Sequence, residues 1–462
     1  MQPIQSRDAR TTLRPSTRDG HVGRVIPPAP RPSRRRLLGF AATAIGAAPS
    51  VMLAACGPLS QGTPESAGTA AEAPAKLMYL HQWSQQQGHG PATDQMVAQF
   101  QEQFPTIQVE AVYTAKYYEK LAAVIAGGDW PDVVTYNLAF LPQLIRRNVA
   151  VPAETLAKGA ARFDVKDMVP GARDMVTFDG KIQVMPYVLN STGLIYNQTI
   201  FQQKGLDPNR PPTTWDELVE LGRRLTGQLG DREVWGVQFP KGAADPISPM
   251  LSFLWQNKGE VVDMKRRAAT WNSSAGAESL QYQVDLIHKH RIAPLTPPPN
   301  ATQAGHMAMW YAPPGQVSRL QAQVGDAFQW ATAELPRGKE RATSVGGHSL
   351  AVLKTNRHHD QAWRFIHWYL QPEHLAEYLV ATTTLPPWRS VEQHQVWQRY
   401  VGEEPRIRPY VAGLAYARPT PKLAAWEEIV DFLAQARDTA AKQERTPKEA
   451  LDDAVRQAEP LI

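Results

Sequence analysis

The hydrophobic pattern of residues 76–137 alternates between two periods. "KLMYLHQW" (76–83) is a short apolar run with the length of a buried strand. "TDQMVAQFQEQFP" follows, with Met96, Phe100 and Phe104 on one helical face. "TIQVEAV" turns Ile107, Val109 and Ala111 to one side, which predicts a strand. "YYEKLAAVIAGG" places Tyr118, Leu121, Ala122 and Ile125 on one stripe and stops at Gly127-Gly128. "PDVVTYN" is another short buried strand. Strand, helix, strand, helix, strand predicts a doubly wound α/β layer.

The rhythm continues downstream without a repeat of fixed period. "TTWDELVELGRRLTG" opens a helix with a capping box, Thr214 with Glu217. "SAGAESLQYQVDLIHKH" is a further helix, ended by "RIAPLTPPP". "SLAVL" reads as a strand, and "QAWRFIHWYLQ" as a helix with Ala362, Phe365, Ile366 and Tyr369 inward. Two helices close the chain, the second capped by Thr446, Pro447 and Glu449. At 462 residues the chain is long for one core. Three extended, Pro-bearing segments, "KIQVMPYVLN", "FQWATAELP" and "TLPPWRSV", read as crossings between two lobes. The expected division is 76–185 plus 336–386 for lobe 1 and 186–335 plus 387–462 for lobe 2. A cleft between hinged lobes is where a ligand sits.

The pattern before residue 76 differs. Residues 1–36 are rich in Arg, Pro and Ser and end in "SRRRLLGF"; an uncharged Gly, Ala, Leu and Ile stretch runs on to Ala55. A basic region, an apolar region and small residues predict an export signal over 1–55, and Arg34-Arg35 fit its twin-arginine form. "LAAC" ends at Cys56, the only cysteine, and resembles a bacterial lipobox whose cysteine carries acyl chains. Residues 56–75 read as a flexible tether. An uncleaved membrane helix and an incidental thiol are the alternatives.

Charge narrows the function classes. Residues 1–55 hold nine arginines and two aspartates, which leaves 40 Lys+Arg against 42 Asp+Glu, a net charge of −2, in the remainder. The apparent basicity therefore belongs to the leader, and nucleic acid is not an expected partner. Without disulfides the fold rests on core burial.

Six stretches in order resemble family 1 extracellular solute-binding proteins, the maltose-binding-like receptors of ABC importers. They are "YYEKLAAVIAGGDWPDVV", "VMPYVLNSTGLIYNQTIFQQKGLD", "PPTTWDELVELGRRLT", "GGHSLAV", "AWRFIHWYL" and "LPPWRSV". The resemblance implies a type II, venus-flytrap fold of two α/β lobes with three hinge crossings. It also implies no catalysis, no cofactor, a monomer, and delivery of solute to importer membrane subunits. The family often carries Ala-Met followed by a Gly-x-Trp turn; here Ala308-Met309 is followed by Trp310-Tyr311, with Pro313 and Gly315 beyond.

A carbohydrate or polyol needs flat aromatic surfaces and planar polar groups. Trp215, Trp363, Trp368 and Trp426 lie in helical patterns and read as packing. Trp83, Trp255, Trp310, Tyr311 and Trp388 lie at strand ends or in loops and are candidates for the cleft, the alternative being loop anchors. Tyr136 and Asn137 end a strand, and Tyr187 and Asn190 sit on the first crossing. Gly347 and His348 precede the strand "SLAVL", and Arg389 is on the third crossing. If Arg389 lines the cleft, an anionic solute such as a glycerol phosphodiester, or another small anion or amine, becomes the competing ligand class. Asp129 and Asp132 are set as turn caps rather than as the paired carboxylates of a glycan hydrolase. His288, His290, His358 and His359 lack metal-ligand spacing.

Overall fold

A computed structural model of the chain describes residues 74–85, 88–239, 249–354 and 357–462. The expected export signal, Cys56 and the tether as far as residue 73 lie outside the described residues. The strands used below, in chain order, are β1 (Ala75–His81), β2 (Ile107–Tyr113), β3 (Val133–Asn137), β4 (Met185–Ser191), β5 (Gly193–Asn197) and β6 (Gly227–Leu229). After them come β7 (Arg232–Gln238), β8 (Met307–Ala312), β9 (Trp330–Ala333), β10 (Thr343–Val352) and β11 (Ala417–Pro419). The helices used below are α1 (His89–Gln103), α2 (Tyr117–Gly127), α3 (Trp215–Leu225), α4 (Pro249–Gln256), α5 (Ser274–His288) and α6 (Gln316–Val324). The later ones are α7 (His359–Tyr369), α8 (Pro372–Thr382), α9 (Gln395–Glu403), α10 (Trp426–Ala441) and α11 (Pro447–Ala458).

The predicted opening βαβαβ unit forms a parallel layer, with β1 between β2 and β3. Met96 and Phe100 of α1 are buried, and α2 stops where Gly128 takes a left-handed conformation, φ +79°. The first sheet runs β11–β10–β3–β1–β2, with β4 also paired to β10. All ten residues of β10 are buried. His348–Val352 pair antiparallel with β3 and Val345–Leu350 with β4, so β10 is held on both edges. The second sheet runs β9–β5–β8–β7–β6. All six residues of β8 are buried, as they are when helices cover both faces of a sheet.

The helix caps follow the sequence with one shift. Thr446 and Glu449 close a reciprocal capping box at α11. At α3 Thr214 accepts from the Glu217 N–H, but the Glu217 carboxylate reaches back to Thr213 rather than to Thr214.

The chain passes between the sheets at places that differ from the expected crossings. β4 is wholly in the first sheet, so residues 186–191 belong there, and the turn to the second sheet takes only Thr192. Residues 336–342 stay beside second-sheet elements, since Trp215 N–H donates to Arg337 O and Glu340 N–H to Gln256 O. "TLPPWRSV" does not cross. Leu385 exchanges backbone bonds with Leu189 and Trp388 bridges to Met168, which keeps the segment on the first sheet, and α9 packs on α8. The third passage comes at residues 404–408, where the Thr332 hydroxyl donates to Arg406 O and the Arg406 guanidinium lies 4.2 Å over the Trp330 ring.

These passages are tied by buried hydroxyls. The Ser191 hydroxyl donates to Tyr410 O, the Thr343 hydroxyl to Thr192 O, and Thr192 and Ser344 hydroxyls share a bond of 3.2 Å. Ser344 N–H donates to Ser252 of α4. Each is buried, and each has a partner, as buried polar groups require.

A Cβ on Gly347 would stand 2.0 Å from the Val188 oxygen of β4. Gly347→Ala is therefore expected to force β4 and β10 apart and to lower stability by about 2 kcal/mol or more in urea denaturation. An unchanged midpoint would show that the ladder yields there. Trp310 is 6% exposed. Its truncation to alanine is expected to remove about 3–5 kcal/mol of stability through the cavity left behind. The same denaturation experiment checks it.

Candidate functional site

β1 ends at His81, and the next residues turn across the end of the first sheet. The Trp83 indole N–H donates to the Tyr187 hydroxyl at 2.9 Å. The Trp83 ring stacks on His89 at 4.2 Å and 19°, and meets His348 edge-on at 4.6 Å and 72°. His89 Nδ1 and the Tyr378 hydroxyl are 2.9 Å apart, and the Gln82 amide bonds to His348 Nε2. β10 supplies His348, β4 supplies Tyr187, α8 supplies Tyr378, and the loop after β1 supplies Gln82 and Trp83. Among the described residues His348 Nδ1 is buried without a partner. A buried ring nitrogen without a partner is costly, and it is open to a further donor.

The group is electrically neutral at physiological pH. Burial pushes His348 down to about 3, with nearby His89 adding to the effect. Burial likewise takes His89 to about 4, helped by Arg319 of α6. His81 is lowered to about 4 by burial, against the pull of Asp94. Desolvation disfavours the charged imidazole, so these rings act as neutral donors and acceptors. Burial also raises the Tyr187 phenol well above its ordinary range.

A second group lies at the end of β3. Tyr136 donates to the Gln143 side chain and packs edge-on to Tyr118 at 5.6 Å. Glu427 at the start of α10 approaches these rings; burial, then Asp431 and Glu428, raises its carboxyl, while Arg147 opposes the shift. α10 touches both halves, packing on Leu138–Phe140 and on α5. From the second-sheet side, α6 starts at Gly315, where an added Cβ would lie 3.7 Å from Thr382 O at the end of α8. The two halves therefore meet next to the aromatic–imidazole group.

Both groups stand where the parallel strands of the first sheet end, the position at which open α/β sheets bind ligands. The sequence model described as bacterial extracellular solute-binding protein matches residues 83–376. The chain belongs to this family. It is 22% identical over 408 residues to the sn-glycerol-3-phosphate-binding periplasmic protein UgpB of Salmonella paratyphi A, covering 82% of this chain and 91% of that one. Its fold is similar to the cyclic alpha-maltosyl-1,6-maltose binding protein of Arthrobacter globiformis, with a TM-score of 0.73, 27% identity, and coverage of 84% and 99%. It is similar to the same degree, TM-score 0.73, to UgpB of Mycobacterium tuberculosis in complex with glycerophosphocholine, at 21% identity and coverage of 85% and 98%. The architecture is thus the two-lobe binding-protein fold of this solute-binding family.

Of the residues expected to line the receptor's cleft, Trp83, Tyr187 and His348 come together. The Trp83 ring is not an open platform, because His89 covers one face. Tyr136 and Asn137 lie at the end of β3, where the Asn137 side chain accepts from Ala139 N–H and caps the turn. Asn190 is half-buried opposite Gly346. Gly347 and His348 do not precede the strand but lie inside it, so their backbone groups serve the ladder between β3 and β4.

The others are placed elsewhere. Trp255 is 1% exposed in α4, beneath the Arg418 guanidinium at 5.0 Å. Trp310 and Tyr311 are adjacent in β8 and point to opposite, covered faces; Tyr311 packs on Phe239 and Phe253. Trp388 donates to Pro186 O on the first sheet. Arg389 is exposed at the start of a short helix. Gln82, His89, Tyr118, Tyr378 and Arg319 were not predicted. Gln82 alone carried a signal, as the residue beyond an apolar strand.

Because the folded chain keeps His81, His89 and His348 unprotonated, the unfolded chain binds more protons once pH drops below 6.5. Stability is therefore expected to be full near neutrality and to fall from about pH 6.5 to pH 4, by up to ~1.4 kcal/mol per pH unit for each imidazole. His348→Gln is expected to reduce that slope by one proton in urea midpoints measured across the range. An unaltered slope would mean that His348 is solvated.

Proposed function

We propose that the chain is the receptor of an ABC importer for a neutral carbohydrate or polyol, held at the outer face of a membrane by acyl chains on Cys56. The observation that carries this reading is the set of neutral hydrogen-bonding groups, Gln82, His89, Tyr187, His348 and Tyr378, packed around Trp83 at the strand ends. Hydroxyl-rich solutes are recognised by such neutral, bidentate and ring-stacking partners. The similarity to a cyclic alpha-maltosyl-1,6-maltose binding protein of Arthrobacter globiformis supports the ligand class. Binding that contacts both lobes favours a closed form, which the importer's membrane subunits read. The twin-arginine leader and "LAAC" supply the anchoring and export part of the proposal. The protein acts as a binding protein, not a hydrolase, and as a monomer.

A glycerol phosphodiester is the second reading. It is favoured by the glycerophosphocholine complex of the mycobacterial neighbour and by Arg319, a cation within electrostatic reach of His89.

Calorimetric titration of the chain with maltotriose, cyclic maltosyl-maltose, sorbitol, sn-glycerol 3-phosphate and glycerophosphocholine separates the readings. Binding of a neutral solute, weakened at least tenfold, about 1.4 kcal/mol, by Gln82→Ala, is the expected result. Binding confined to the phosphates and lost in Arg319→Ala establishes the second reading instead. Cys56→Ser is expected to release the protein from the membrane fraction; retention there would remove the lipid anchor from the proposal.

A further inference from the structure

A cavity of about 300 Å³ opens in the second-sheet half and shares no lining residue with the aromatic–imidazole group. It lies where the end of β7 meets the C-terminal half of α5, residues 294–297 and the C-terminal end of α10. This volume is at the lower end of those that hold drug-sized ligands. Its chemistry is mixed in a particular way. Phe239, Val284, Ile287 and Leu295 give an apolar wall, and Leu295 is among the few large hydrophobic residues left exposed. Phe239 is held flat against Tyr311 at 12°, so the wall is rigid at that end. Among the described residues the side-chain oxygen of Gln238 is buried there with no partner.

The rim carries charge. Arg437 spends its Nε and Nη2 on one oxygen of Asp438, at 3.2 and 3.0 Å. Lys442 makes no ion pair among the described residues. Two cations face one carboxylate, so the mouth has a net positive charge. An apolar wall disfavours a free phosphate, which would lose hydration against it. The unpartnered oxygen asks for a donor, and the rim asks for an anion.

We propose that this cavity is a second binding site, for an amphipathic monoanion: an apolar body against Phe239 and Ile287, an N–H or O–H group to Gln238, and a carboxylate or sulfonate at Arg437 and Lys442. It is independent of the solute bound between the lobes.

1-Anilinonaphthalene-8-sulfonate has all three features and reports burial by fluorescence. Titrated into the full chain, it is expected to saturate at one dye per chain and to be displaced by octanoate. Leu295→Asp and Lys442→Glu change exposed positions and leave the fold intact by circular dichroism. Each is expected to weaken the dye at least tenfold, while solutes titrated for the interlobe site leave its fluorescence unchanged. Absence of saturable binding, wild-type affinity in either variant, or displacement by an interlobe solute overturns the proposal.

Discussion

Strand β10 is the constraint on which the rest depends. It pairs along one edge with β3 and along the other with β4, and its first residues are bonded to the turn that starts the second sheet. A strand so placed has no free edge and no exposed residue, so its register cannot slip without turning a whole buried face outward. The register sets Gly347 against the Val188 oxygen, where no side chain fits, and sets His348 beside Gln82 and Trp83. It also brings Thr343 and Ser344 to Ser191 and Thr192, so that short buried hydroxyl bonds run beside the apolar packing that joins the two sheets. The same strand thus positions the candidate residues and carries buried hydroxyl bonds to the junction.

Neutrality at the site follows from burial rather than from the absence of titratable groups. Imidazoles are abundant there, but a charged imidazole with no carboxylate partner would carry a desolvation penalty that the folded state avoids by releasing the proton. The result is a surface of donors and acceptors without a net field. Such a surface discriminates by hydrogen-bond geometry and ring contact, while a phosphate would have to find its own counter-charge. Arg319 is the cation that bears on this group, and it enters from the other half.

The alternation of apolar periods was sufficient to find the α/β rhythm, because burial on one helical face or on both faces of a strand leaves a direct mark on composition. The family resemblance implied the two-lobe fold. What the pattern could not resolve was which aromatic residues bind and which pack. Trp310 and Tyr311 show why: in a strand covered on both faces, adjacent large rings both enter cores, and the sequence of such a strand reads the same as an aromatic binding loop. Trp255 and Trp388 were misplaced for the same reason, since an indole has the same apolar surface in either setting. The third crossing was displaced because Leu385 and Trp388 satisfy backbone and indole groups on the first sheet, a long-range pairing that proline content does not announce. His89 and Tyr378 are far apart in sequence and become partners only through the packing of α8 beside α1.

One scaffold serves a neighbour that binds a cyclic maltosaccharide and another in complex with glycerophosphocholine, at the same structural similarity to this chain. The fold by itself therefore does not choose the ligand. Here the groups at the strand ends come from the loop after β1, from β10 and from α8, all elements of the first sheet's half, and they are preformed by bonds to one another. The opposing half contributes α6, whose start lies against the end of α8, and α10, whose Glu427 stands near Tyr136. A preformed half that offers neutral groups therefore faces a second half that brings the charges of Arg319 and Glu427, so the two halves differ in the kind of contact each can make.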